Sequence, residues 1–166
     1  NIDFLSNLTF VSKKNGYFNP QIIEKEKGYF KAQDLRHPII EIVHDRVKYV
    51  PNDLTLGCDN QNGILLYGVN AVGKSSLVKA LGIAVVLAQA GMYVPASSMT
   101  YSPYTQLFTR ILGNDDLFRG LSTFAVEMVE LNSILRRADE KSLVLGDELC
   151  AGTETTSAVA IFSAGV

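Results

Sequence analysis

Little cysteine, little net charge and no long apolar run mark this sequence. Cys58 and Cys150 are its only cysteines. They stand far apart and without metal-ligand spacing, which excludes a disulfide framework and points to a reducing, intracellular compartment. The formal charge of −2 leaves no basic face by count, so nucleic-acid contact is expected from other parts of a larger protein. The longest apolar run, Leu81 to Gly91, is too short to span a bilayer, so no membrane partner is expected. No signal peptide, internal repeat or low-complexity tract is visible, and a start without Met suggests an internal N-terminus. At 166 residues the chain is one domain's worth and long enough to bury a core. Its 47% hydrophobic content and mean hydropathy of +0.14 lie on the apolar side for a free-standing domain, which suggests surface meant for another subunit or domain.

What is present is organised around one loop. Gly68 to Ser75 spell G-x-x-x-x-G-K-S, the phosphate-loop pattern. Ile64-Leu65-Leu66-Tyr67 before it reads as a short buried strand, and Ser76 to Gln89 after it as a helix. Strand, glycine loop and helix bring successive backbone N–H groups and a helix N-terminus to bear on an anion. Gly68 and Gly73 leave room for backbone to curl around phosphate oxygens. Lys74 would pair with the β- and γ-phosphates, and Ser75 would place its hydroxyl on Mg²⁺. The pattern predicts binding of a nucleoside triphosphate.

Elsewhere the periodicity predicts a coarse element order. Ile2, Leu5, Leu8 and Val11 are spaced like one helix face that Asn15-Gly16 ends. Gln21 to Lys31 reads as a strand or two near a sheet edge, with Glu24-Lys25-Glu26-Lys27 as a solvated face. His37-Pro38 reads as a turn, Ile39 to Val43 as a strand, and Val47 to Pro51 as extended chain before the polar turn Asp59 to Gly63. Gly91 is a natural helix C-cap, and Tyr93-Val94-Pro95 turns the chain. Leu107 to Leu112 reads as a strand, and Gly113 to Asp116 as a loop. From Thr123 to Ala138, Phe124, Met128, Leu131, Leu135 and Ala138 form one helix face, with Ser122 or Thr123 as N-cap and Arg136-Arg137 near the end. Ser142 to Leu145 reads as a second buried strand, and a further helix is expected from near Thr155. His44 reads as a surface histidine. Cys150 reads as a small buried filler, with a reactive thiol as the alternative.

The second strand ends in Gly146-Asp147-Glu148. A strand ending in two carboxylates, downstream of a phosphate loop, predicts the other half of an ATPase site. Asp147 would hold Mg²⁺, and Glu148 would orient or deprotonate the attacking water.

The loop, Tyr93-Val94-Pro95-Ala96, Phe108-Thr109-Arg110, Asp115-Asp116-Leu117, Ser122-Thr123-Phe124 with Glu127-Met128, and Asp147-Glu148 before Gly152-Thr153 follow one another in a specific order. That order resembles the ATPase domain of MutS-family mismatch-repair proteins, as do Arg36-His37-Pro38 and Val50-Pro51-Asn52. The resemblance covers nearly the whole chain. It implies an α/β fold of the P-loop, ABC-like type, with a mixed, mostly parallel sheet flanked by helices. Residues 1–20 would be the end of a lever helix, and 21–166 the ATPase domain. By resemblance, the nucleotide contacts would be Tyr49, stacked on adenine, and Gly68, Val69, Asn70, Ala71, Val72, Gly73, Lys74, Ser75 and Ser76. Ser122 and Thr123 would reach the γ-phosphate of a partner's nucleotide. Ser75 and Asp147 would hold Mg²⁺, and Glu148 would be catalytic. The implied ligands are ATP or ADP with Mg²⁺. The implied partners are a homo- or heterodimeric second copy and mismatched duplex DNA, contacted mainly outside this chain.

The chain also departs from that family's pattern. Ala71-Val72 replace Met-Gly within the loop, and Leu149-Cys150-Ala151-Gly152-Thr153-Glu154 follow the acidic pair where x-G-R-G-T-S is usual. This form resembles the divergent branch of large DNA viruses and octocoral mitochondria. Losing the arginine touches cross-talk within the dimer rather than nucleotide binding. The family's histidine switch and dimerisation helices would lie beyond Val166. Two alternatives stay open: another ABC-like DNA-repair ATPase, whose L-S-G-G-Q signature Leu121-Ser122-Thr123-Phe124 does not match, and a dimerisation module that binds ATP without turnover.

Overall fold

The computed structural model describes residues 2–43, 48–58, 61–110 and 123–147. It divides into two compact units, Asn1–Tyr104 and Thr105–Val166. Both mix helix and strand, so the chain is α/β.

The first unit opens with α1 (Ile2–Asn15), which ends where Gly16 enters the left-handed region at φ +61°. A short edge strand β1 (Gln21–Ile22) follows, then β2 (Phe30–Leu35), the one-turn helix α2 (Ile40–Val43), β3 (Asn52–Leu56), the long helix α3 (Lys74–Gln89) and β4 (Ser98–Tyr101). The strands form one sheet in the order β1-β4-β2-β3. β1 runs parallel to β4, while β2 is antiparallel to both β3 and β4.

Phe30 and Ala32 point into the core in the alternation a half-buried strand requires. A bulge at Asp34 then resets the phase. Its φ is +49°, its N–H donates to Asp53 Oδ1 at 2.9 Å, and the β2–β3 register shifts between Ala32 and Leu35. The extra residue returns Leu35 to the buried face. Met99 and Tyr101 fill the same core from β4, and α3 buries Ala80, Leu81, Ala84, Val85 and Ala88. That spacing is one helical stripe. Gly91 closes α3 as expected: its N–H donates to Ala88 O and that of Met92 to Leu87 O, the Schellman pair. Gln89 then clamps the chain after β4, donating to Tyr104 O at 3.1 Å and accepting from Tyr104 N at 2.9 Å. Burial in this corner pushes the Tyr104 hydroxyl up to about 12.

The second unit is a β-α-β arrangement. β5 (Gln106–Arg110) and β6 (Ser142–Gly146) pair in parallel, with α4 (Thr123–Arg137) between them in sequence. A parallel pair needs such a crossover. Leu143 and Leu145 are buried while Val144 is 47% exposed, so β6 is buried on one face rather than two. The turn before it is tied by Asp139, whose carboxylate accepts from Ser142 Oγ and Lys141 N. The Ser142 hydrogen bond foremost holds the Asp139 carboxyl below its ordinary value.

Three expectations change. Ile39 to Val43 reads as a strand, but Ile40–Val43 is a helical turn. Its cause is His37: the Nδ1 accepts from the N–H of both Ile39 and Ile40 at 3.3 Å, and His37 O accepts from Glu41 N. A side-chain acceptor ahead of the first turn outweighs the β preference of the isoleucines. Ile64 to Tyr67 forms no strand; Leu65 is 66% and Tyr67 88% exposed. An apolar run becomes a strand only when a neighbour takes its N–H and C=O groups, and no ladder among the described residues includes these four. Finally, the described pairings are two parallel and two antiparallel, so strand pairing among the described residues is mixed but not mostly parallel. The readings at His44, Asp59-Asn60, Ile111 to Ser122, Cys150 and the helix near Thr155 lie outside the described residues.

Candidate functional site

The loop 68–73 precedes α3 and is exposed throughout. Its backbone repeatedly enters positive φ: +153° at Gly68, +64° at Ala71 and +99° at Gly73. Gly73 carries its turn without a Cβ penalty. Ala71 does not, and a non-glycine residue held in this region stores on the order of 1 kcal/mol of strain.

Lys74 turns back over this loop. Its Nζ donates to the carbonyl oxygens of Gly68 at 2.7 Å and Val69 at 2.8 Å. The ammonium thus closes the loop into a ring that ends at the helix start. There Gly73 is the N-cap, supplies no side-chain acceptor, and accepts at its carbonyl from Leu77 N at 3.0 Å. Helix geometry leaves the N–H groups of Lys74, Ser75 and Ser76 without intrahelical acceptors. An uncapped N-terminus, the helix dipole and an ammonium at one loop form an anion site. The Ser75 and Ser76 hydroxyls stand on the first turn of the same helix.

The residues fit a triphosphate on chemistry the loop itself shows: backbone donors that no side chain occupies, beside a cation held at the loop mouth. Magnesium asks for little more, because it is commonly held by one or two protein groups together with substrate phosphates and water. Among the described residues no group of three His, Cys, Asp or Glu could hold a metal, so a wholly protein-built metal cage is not offered there.

Tyr49 is half-buried beside the His37–Glu41 turn. Burial raises its hydroxyl above the ordinary value and Glu41 adds to this, while a hydrogen bond from the His37 backbone opposes it. The same turn receives α1. Arg36 pairs with Glu41 at 3.0 Å and donates to Asn15 O and Gly16 O at 3.1 Å each, capping the end of that helix. His37 is 6% exposed. Burial foremost, with Lys79 nearby, lowers its pKa from the ordinary value.

In the second unit Asp147 follows the last residue of β6, and its N–H donates to Arg110 O at 2.8 Å. Thr123 begins α4. Glu148 and Ser122 lie outside the described residues. Of the expected site residues the structure therefore brings Gly68, Val69, Gly73, Lys74, Ser75 and Ser76 into one loop-and-helix start, with Asn70, Ala71 and Val72 in its exposed arc. Tyr49 joins the His37 turn.

Sequence reasoning quoted Arg110 and Glu127 as motif residues but did not join them with Glu130 into one group. Arg110 lies 3.2 Å from Glu127 Oε1 and 3.0 Å from Glu130 Oε2. The available signal was two glutamates three apart on one helix face and an arginine ending a strand. Among the described residues no helix is long and apolar enough to cross a membrane.

Residues 64–166 match the family model MutS domain V. A MutS homologue of Acanthamoeba polyphaga mimivirus is 40% identical over 99% of the chain, and the mitochondrial DNA mismatch repair protein MutS homologue of Sarcophyton glaucum is 46% identical over 86%. The DNA mismatch repair protein MutS of Clostridium perfringens is 39% identical over 96%. The chain spans only 18%, 14% and 17% of the lengths of these three relatives. With a domain V match and these relatives from a virus, an octocoral mitochondrion and a bacterium, the chain belongs to the MutS family of DNA mismatch repair proteins.

Proposed function

We propose that this chain is the P-loop, ABC-like ATPase domain of a MutS-like mismatch-repair protein, binding and hydrolysing ATP with Mg²⁺ to drive conformational changes of a DNA clamp. The observation that carries the reading is the Lys74 ammonium closed onto Gly68 O and Val69 O above an uncapped helix start. That arrangement is made for an anion and has no evident structural use: the loop is exposed and buries nothing.

In this reading the N–H groups of residues 73–76 hold the phosphates, and Lys74 exchanges its carbonyl partners for phosphate oxygens. Asn70, Ala71 and Val72 line the arc, while Tyr49 stacks on the base. Ser75 and Asp147 hold Mg²⁺, which when bound neutralises charge developing on the phosphates. Glu148 takes the proton of the attacking water as it adds to the γ-phosphorus and the β–γ bridging bond breaks, leaving ADP and inorganic phosphate. Ser122 and Thr123 serve a second copy's nucleotide across a dimer, and the DNA is gripped by other parts of the protein.

The test is Mg²⁺-dependent ATP hydrolysis by the full-length protein with and without mismatched duplex, beside Lys74→Ala and Glu148→Gln. Lys74→Ala is expected to lose nucleotide binding. Glu148→Gln should bind ATP normally but turn over at least about 100-fold more slowly, within the range for a general base. Wild-type protein that binds ATP without hydrolysing it would replace this reading with a nucleotide-dependent dimerisation switch.

A further inference from the structure

The β-α-β unit contains a buried charge cluster to which nothing above gives a use. Arg110 ends β5 and pairs in register with Gly146 at the end of β6. Its carbonyl accepts the N–H of Asp147 at 2.8 Å, extending the ladder one step past the strand. Its side chain is only 13% exposed and leaves in another direction, toward α4. There Nη2 donates to Glu127 Oε1 at 3.2 Å, and Nε lies 3.0 Å from Glu130 Oε2, at ion-pair distance but outside hydrogen-bond geometry.

Glu127 is the unusual member. Its side chain is 4% exposed, and its second oxygen, Oε2, is buried with no hydrogen-bond partner among the described residues. A buried carboxylate with half its acceptors empty is expensive to keep unless its one cation stays in place. Glu130 brings a second negative charge to the same guanidinium from the half-exposed surface. One arginine between two glutamates three residues apart therefore fixes the early turns of α4 against the end of β5. The planar fork of the guanidinium suits this bridging; an ammonium does not reproduce it. Asp147 is thus held by the backbone of a residue whose side chain is gripped by α4.

We propose that Arg110 is a positioning residue for the nucleotide reaction: through it, the place of α4 sets the place of Asp147. This rests on the reading of Asp147 as a Mg²⁺-holding residue. A shift of α4 loosens or tightens the metal position without any group of α4 touching the metal. On this proposal the removal of Arg110 or Glu127 acts through Asp147.

The test uses the full-length protein with Arg110→Gln, Arg110→Lys and Glu130→Gln, each checked for folding by its circular dichroism. In nucleotide-free protein, hydrogen exchange of the Asp147 amide should be at least about tenfold faster in Arg110→Gln, since its hydrogen bond opens more often. In steady-state turnover, the Mg²⁺ concentration for half-maximal rate should rise at least about fivefold in Arg110→Gln, while ATP affinity measured without Mg²⁺ changes less than about twofold. Excess Mg²⁺ should restore part of the rate. Arg110→Lys should fall between wild type and Arg110→Gln, and Glu130→Gln, at an exposed position, should give a smaller shift in the same direction.

Folded Arg110 variants with unchanged Asp147 exchange and unchanged Mg²⁺ dependence would overturn the proposal. If Arg110→Gln fails to fold, Arg110→Lys and Glu130→Gln decide by the same two readouts. If wild type binds ATP but does not turn it over, the hydrolysis reading falls by itself. The Mg²⁺ dependence of ATP binding then decides on Arg110, a shift in the variants supporting it and none overturning it.

Discussion

At Gly57 the chain turns with φ +71°, and a Cβ added there would stand 2.0 Å from the Gly28 carbonyl oxygen. Two penalties coincide: the left-handed conformation and a collision with backbone, which cannot rotate away as a side chain can. Gly57→Ala is expected to destabilise by about 3 kcal/mol, a Tm loss of roughly 10 °C for a domain near this size. Thermal unfolding followed by circular dichroism checks it, and an unchanged Tm would show that Gly28 moves freely. Ala71 presents the opposite case, with a similar φ in an exposed arc. Neither constraint is visible in residue type alone. Gly57 looks like any turn glycine in the sequence, because the carbonyl it accommodates lies 29 residues earlier.

At the scale of elements, α2 shows how one side chain decides between helix and strand. Ile39-Ile40-Glu41-Ile42-Val43 has the composition of a strand, and the His37 ring makes it a helical turn by accepting two N–H groups on Nδ1. That role needs a neutral ring protonated on Nε2. Burial places the folded-state pKa of His37 below its ordinary 6.5. The sign follows: the unfolded chain binds the proton more tightly, so stability is fully present above about pH 6.5 and falls as the pH drops toward the folded value. Protonation also removes the acceptor and frees the turn. Wild-type protein is expected to lose Tm between pH 7.5 and 5.5, and His37→Asn, which keeps an acceptor without a proton to gain, should lose less. Equal losses in both would detach the pH response from His37. By contrast, α3 and α4 were legible in advance. Their lengths and apolar spacing exceed anything a single cap can reverse, and observed and expected ends differ by no more than two residues.

At the scale of the molecule, a nucleotide site makes stability depend on ligand. A ligand that binds only the folded state stabilises by about 2.7 kcal/mol at one hundred times its Kd. ATP is therefore expected to raise the Tm of the full-length protein in wild type and not in Lys74→Ala, whose loop lacks the ammonium that closes onto Gly68 and Val69. Differential scanning calorimetry reads this directly, and equal shifts in both proteins would remove Lys74 from the binding site. The relatives extend far beyond this chain, which spans less than a fifth of their length. Their DNA contacts and assembly are matters for the whole protein.

Order and spacing of motifs along the chain determined the family, the loop and the two long helices. These are local properties: a glycine with positive φ, a lysine at the start of a helix and an apolar stripe every three or four residues act within one or two turns of chain. Tertiary structure decided the rest. It placed the third strand at Asn52–Leu56, because a strand forms where a partner takes its hydrogen bonds. It left Ile64 to Tyr67 without a ladder among the described residues and gathered Arg110, Glu127 and Glu130 into one partly buried cluster. Each of those outcomes depends on groups distant in sequence or on which side chain is desolvated, and neither is written in residue order.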